Sequence, residues 1–146
     1  MANLLKIGQL KEHAADANEI ARLLAAAQRS LADARSGAIS AETRFDAAYK
    51  AITQLGLAAL MAHGYRPDTN RPGHHMTIIQ SLTLTLGVAG SRMAALDTLR
   101  RKRNLADYTG EDIDDASVVE CIEQAQRLGE DAHAWLRKHR PQLKLK

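Results

Sequence analysis

A single cysteine in 146 residues rules out a disulfide framework, and three prolines, Pro67, Pro72 and Pro141, leave long stretches free to be helical. Cys121 lies among Val118, Val119 and Ile122 with no cationic neighbour in sequence, which reads as a small buried filler rather than a reactive thiol. Aromatic residues are scarce at 3% while alanine and leucine dominate, the composition of a helix bundle. No apolar run reaches the ~20 residues a membrane span needs. Lys6, Lys11, Glu12 and Asp16 break up the first segment, so no signal peptide is expected and the expected location is cytoplasmic. The length suits one domain, taken as 1–146 with a core over about 10–139 and a loose basic tail over 140–146.

The net charge of +3 is too small to argue for nucleic acid, but its distribution is uneven. Arg100, Arg101, Lys102 and Arg103 are consecutive, and Arg137, Lys138, Arg140, Lys144 and Lys146 form a second basic cluster. Glu111, Asp112, Asp114 and Asp115 form an acidic knot between them. Such local patches bind phosphates even on a nearly neutral chain.

Hydrophobic spacing predicts an all-α, single-domain, up-and-down bundle of about five helices. From Leu10, the residues Ala14, Ala17, Ile20, Leu24, Ala27, Leu31 and Ala34 recur at steps of three and four, one face of a first helix that stops near Ser36 with Gly37 as a left-handed cap. Ser40 is a candidate N-cap for a second helix carrying Phe45, Ala48, Ile52, Leu55 and Ala59 down to Gly64. His63 is expected on the last carbonyls of that helix. Residues 66–73 hold two prolines, Asn70 and Gly73 and read as the longest loop. Residues 82–86 alternate like a strand, yet Met76, Ile79, Leu82 and Leu86 fit a helix, preferred because a lone strand has no partner. Gly87 and Gly90 interrupt, Ser91 is a candidate cap, and a fourth helix carries Leu96, Leu99, Arg103 and Ala106. Residues 109–112 allow only a tight turn into an antiparallel fifth helix, with Val118, Ile122, Ala125, Ala132 and Leu136 on its inner face and Pro141 at its end. Phe45 and Trp135 fall on apolar stripes and are expected in the core.

The fourth helix also concentrates chemistry. Arg100, Asn104 and Asp107 are spaced to converge, and Arg103 and Asp107 are four apart. An arginine sharing a face with leucines needs a partner, within the helix or from a second chain across an interface. A homodimer is therefore expected. The plain alternative is a solvated basic turn near a helix C-terminus.

Arginine, asparagine, a short linker, an acidic residue and tyrosine at the end of a fourth helix, followed by a long fifth helix, resemble the HEPN domain (higher eukaryotes and prokaryotes nucleotide-binding). As helix order the resemblance covers about residues 10–139, and as a motif it rests on Arg100 to Tyr108. It implies a metal-independent ribonuclease with its site in a cleft between two protomers, acting as a toxin beside a nucleotidyltransferase antitoxin. It maps the family's arginine onto Arg103 and the following polar residue onto Asn104. Arg100 and Lys102 are then further nucleic-acid contacts. The family's histidine is missing, and Tyr108 stands where it would fall. A tyrosine of pKa ~10 is a poor base at neutral pH, and Asp107 would need a raised pKa that a neighbouring arginine opposes. Tyr108 alternatively matches a tyrosine that the antitoxin modifies with nucleotide. His74 and His75, after the proline loop, are a candidate substitute base or simply a loop or cap pair. The other reading is a non-catalytic module of this fold that binds nucleic acid, nucleotide or a nucleotidyltransferase. No metal-ligand spacing, phosphate-cradling loop or cofactor motif is present, and none of these ligands is expected.

Overall fold

The computed structural model describes residues 8–70 and 73–141, so Lys144 and Lys146 of the expected basic tail lie outside the described residues. Five helices dominate: α1 Ala17–Ala34, α2 Ala41–Ala62, α3 His74–Thr85, α4 Gly90–Thr109 and α5 Asp115–His139. Two short strands, β1 Leu10–Glu12 and β2 Tyr65–Pro67, pair antiparallel with Leu10 opposite Pro67 and Glu12 opposite Tyr65. The all-α bundle is observed.

The strands correct two expectations. The first helix does not begin at Leu10, because Asp16 starts it by accepting hydrogen bonds from the Asn18 and Glu19 amides, a side-chain N-cap. Leu10 mimics the helical stripe but is buried with Leu60 and Ile78 instead. Likewise 66–73 is not all loop. Its first residues complete the ribbon, which the His13 N–H extends by donating to Gly64 O at 2.8 Å. Pro67 fits there because it ends a strand in a two-stranded ribbon, where a missing N–H breaks no interior ladder.

Two caps differ and one holds. Gly37 does not take the left-handed conformation; α1 closes on Arg35 at φ −83°, whose N–H reaches back to the carbonyls of residues 31–33. Ser91 is not a cap, since α4 starts one residue earlier with Ala89 as an N-cap that offers no side-chain hydrogen bond. His63 meets the last carbonyls of α2 as expected, its backbone N–H donating to Leu60 O and Met61 O, and its Nε2–H in addition donates to Thr85 O at the end of α3 (2.9 Å).

Helix α2 is the axis of the molecule. Phe45, Ala48, Tyr49, Ala51, Ile52, Leu55, Ala58 and Ala59 are buried around more than one face, as expected of a helix wrapped by others. Helices α1, α5 and α3 all pack on it. Cys121 is buried, as its apolar neighbours implied, and burial pushes its thiol up to about 12. Helices α4 and α5 run antiparallel, the Arg92–Asp131 ion pair at 2.6 Å joining the start of α4 to the later part of α5 and Lys102 Nζ donating to Ser117 Oγ at 2.8 Å at the other end. Phe45 is in the core, but Trp135 is only partly buried, stacked between side chains near the end of α5: its ring centroid is 4.5 Å from that of His63 and 4.7 Å from that of His139.

Two glycines test the packing of α2 and α5. A Cβ on Gly56 would overlap the Ile78 Cγ2 methyl, whereas one on Gly129 would meet Leu55 Cδ1 at an ordinary 3.8 Å. Gly56→Ala is therefore expected to destabilise by about 1–3 kcal/mol, because Ile78 is β-branched and buried and cannot move aside cheaply. Gly129→Ala is expected to stabilise by about 0.5–1 kcal/mol through helix propensity. Urea unfolding of the two variants checks the opposite signs; the same sign for both would refute the packing of α3 on α2.

Candidate functional site

Residues from α2, α3 and α4 meet where the second half of α4 passes α2. Leu96 and Leu99 fix that passage, being 0% and 2% exposed, and one turn later the same face presents Arg103. These leucines are covered within the chain, so the uncovered apolar face from which a homodimer was expected does not exist at Leu96 and Leu99. The face beyond them is polar.

The Arg103 guanidinium lies over the Tyr49 ring, 5.2 Å from its centroid, a cation–π arrangement. Its Nε is 3.6 Å from Asp46 Oδ1 and its Nη1 4.0 Å from Asp107 Oδ2. Asp107 thus is the intrahelical partner that the spacing implied. Both contacts are longer than a good hydrogen bond, with all three side chains partly in solvent, and pairs of that kind contribute about 0–1 kcal/mol. Arg100 is held more firmly. Its Nε donates to Asp97 Oδ1 at 2.8 Å, and it reaches the Met76 sulfur at 3.9 Å. Asp97 also pairs with Arg101, whose side chain remains 73% exposed. Lys102 faces the other way, toward Ser117 on α5.

Tyr49 joins the arginines to α3. Its hydroxyl is 3.4 Å from His75 Nδ1, and the two rings are 5.7 Å apart. His75 is thereby joined to Arg103 through the Tyr49 ring. Burial first, then the positive potential of His74, Arg103 and Arg100, holds the His75 imidazole below the ordinary histidine range. The Tyr49 hydroxyl is pushed up to about 12, chiefly by burial, with Arg103 opposing. At neutral pH this pair is thus a phenol against a neutral imidazole. Asp46 is raised above the usual carboxylate value by burial, against the lowering pull of Arg103.

Of the sequence-derived candidates, Arg103 and Asp107 meet and Asn104 is half-buried on the same helix, whereas Arg100 turns to Asp97 and Met76 rather than converging on Asp107. Tyr108 stands out in solvent at 90% exposure. The tyrosine at Arg103 is Tyr49, which sequence reasoning missed together with Asp46. Their signal was present: Asp46, Tyr49 and Thr53 are polar or amphipathic residues at helical spacing along α2. Among the described residues no three His, Cys, Asp or Glu side chains are grouped as a metal ion would need, and no described helix is long and apolar enough to cross a membrane. No family model matches the chain, and no curated protein matches it.

The two perturbed histidines set a pH dependence. His63, chiefly through burial, is lowered like His75 from the ordinary 6.5. A base whose folded pKa is depressed is protonated first in the unfolded chain, so its contribution to stability is complete above about pH 6.5 and is lost as pH falls below. Melting temperature is expected to drop by roughly 2–5 °C between pH 7.5 and 5.5. The double variant His63→Gln/His75→Gln should show a smaller drop, and an unchanged drop would mean neither imidazole is held neutral by the fold.

Proposed function

We propose that this chain is a HEPN-like, metal-independent endoribonuclease, the toxin component of a toxin–antitoxin or defence system. The reading joins the Arg103–Asn104 motif resemblance to one observation, the Tyr49 ring that touches both the Arg103 guanidinium and the His75 imidazole. RNA cleavage without metal needs a cation where phosphate charge builds up and a base that is neutral at working pH. Arg103 and Arg100 supply forked donors for the non-bridging oxygens. The loose carboxylate contacts of Arg103 yield to a phosphate at little cost. His75 supplies the base that Tyr108 and Asp107 supply poorly.

In the base-competent tautomer Nδ1–H donates to the Tyr49 oxygen, leaving the Nε2 lone pair for a ribose 2′-hydroxyl. Nε2 takes that proton as O2′ bonds to phosphorus, the P–O5′ bond breaks, and the imidazolium returns the proton to the departing 5′ oxygen. The products are a 2′,3′-cyclic phosphate and a 5′-hydroxyl end. Asp46 and Asp107 steer Arg103 from the side, and Asn104 orients the scissile group. In this reading the site lies at the edge of a cleft that a second copy closes.

A second reading is favoured by Tyr108. A phenol 90% exposed at the end of a helix is accessible to a modifying nucleotidyltransferase, which fits a non-catalytic or partner-controlled module binding nucleic acid or nucleotide.

Arg103→Ala is expected to lower RNA cleavage by about 10²–10³-fold, with Arg103→Lys restoring little because a point charge lacks the fork. His75→Gln is expected to lose about 10²–10⁴-fold in rate while still binding RNA. Arg101→Ala should stay within about twofold, being a solvated charge. Cleavage of a labelled RNA in the presence of chelator, with product ends identified, checks all four; cleavage that survives Arg103→Ala rejects the nuclease reading. If wild type cleaves nothing, Tyr108→Phe decides the second reading, since modification by a co-expressed nucleotidyltransferase must vanish in that variant.

A further inference from the structure

The Asp46–Tyr49 contact with Arg103 is one end of a longer feature. Along α2, Asp46, Tyr49, Thr53 and Leu57 follow at steps of three, four and four, so they form a single stripe. At its far end Thr53 and Leu57 open into a cleft of about 260 Å³ between α2, the end of β2 and the first turns of α3. The cleft reaches His74 and His75 but stops short of the arginines. His75 is therefore the partition: one side meets Tyr49 and, through it, Arg103, and the other side lines the cleft.

The lining is mixed in a particular way. Leu57 and Ile78 provide apolar walls from two helices, while Gln54, Thr69 and His74 provide polar edges. Ser30 Oγ donates to Gln54 Oε1 at 3.1 Å, which leaves the amide NH₂ of Gln54 as the end available to a ligand. The His74 and His75 rings meet edge to face, centroids 4.9 Å apart, and so put two imidazoles of different tilt at the opening. An apolar slot with a few polar groups and aromatic faces at its edge suits a flat heteroaromatic ring.

We propose that this cleft is a nucleobase subsite. A single-stranded RNA lays a phosphate on Arg100 and Arg103 and inserts the adjoining base between Leu57 and Ile78, with His75 between the two. The proposal rests on the nucleic-acid reading above and adds what selects the substrate: an unpaired nucleotide enters, whereas a base in a duplex does not, because its faces are already stacked. A chain of phosphates without bases engages only the arginine end.

Filling the cleft separates the two ends. Leu57→Trp narrows it from α2, and Thr69→Trp, on the exposed rim, does so even if the first variant fails to fold. Binding of a fluorescent single-stranded RNA hexamer and of inorganic polyphosphate is measured by anisotropy and competition for wild type, both filled variants and Arg103→Ala. Expected is a loss of about tenfold in RNA affinity on filling, the worth of one stacked base, with polyphosphate affinity unchanged, and a loss of both in Arg103→Ala. If a folded filled variant binds RNA as wild type does while Arg103→Ala does not, the subsite is refuted and the phosphate site stands. Equal affinity of wild type for RNA and polyphosphate refutes the subsite too. Should Arg103→Ala bind both as wild type does, the nucleic-acid reading falls and the subsite with it.

Discussion

Burial of α2 from several sides is the constraint on which the rest of the molecule depends. A helix whose alanines and leucines face outward in most directions is stable in water only when other helices cover it. Here α1, α3 and α5 do so, each with its own apolar stripe. The alanines let these helices come close, and Gly56 lets Ile78 of α3 come closest. Helix α4 is the exception. It has two buried residues, Leu96 and Leu99, and the part that carries the basic run is held by polar contacts. The helix with the fewest buried residues is thus the one that carries the basic run, which fits a surface used for binding rather than for packing.

The electrostatics of the site follow from that half-buried position. An arginine in full solvent would gain little from Asp46 or Asp107, and a fully buried one would demand rigid pairing. Arg103, with its side chain 32% exposed, lies between these limits. It rests on the Tyr49 face, which costs no hydrogen-bonding group, and keeps carboxylates at 3.6 and 4.0 Å. Burial first, and then the same positive potential, holds the His75 imidazole below the ordinary histidine range. The arginine and the lowered imidazole thus belong to one half-buried arrangement around Tyr49.

Much of the architecture was legible because amphipathic periodicity is a local property. The stripes of α1, α2 and α5 and the choice of helix over strand at 82–86 came from spacing alone. The ribbon was not legible: three residues are too few for an alternation to register, and Leu10 falls by chance on the phase of the helix that follows. Cap residues failed where backbone hydrogen bonding decided the end, as at Arg35 and Ala89. Arg103 and Asp107 were legible as an intrahelical pair. Tyr49 was not, since its contact with Arg103 joins two helices far apart in sequence and depends on the angle at which α4 crosses α2.

Tyr49 also shows why a missing motif residue is weak grounds for denying a chemistry. A motif places groups close in sequence because they share a helix, but the reaction asks only that they be close in space. On α4 the position after Asp107 points into solvent, as the exposure of Tyr108 demonstrates, so an imidazole there would stand where Tyr108 stands, away from Tyr49 and Asp46. The first turn of α3, by contrast, is anchored over α2 by Thr77, Ile78 and Ile79, all buried. An imidazole set on that turn is fixed by core packing rather than by the end of a helix with little core. Within this fold, then, the α3 position holds an imidazole on a turn anchored by buried neighbours, which the α4 position does not, and Arg103 and His75 are tied to the same buried tyrosine.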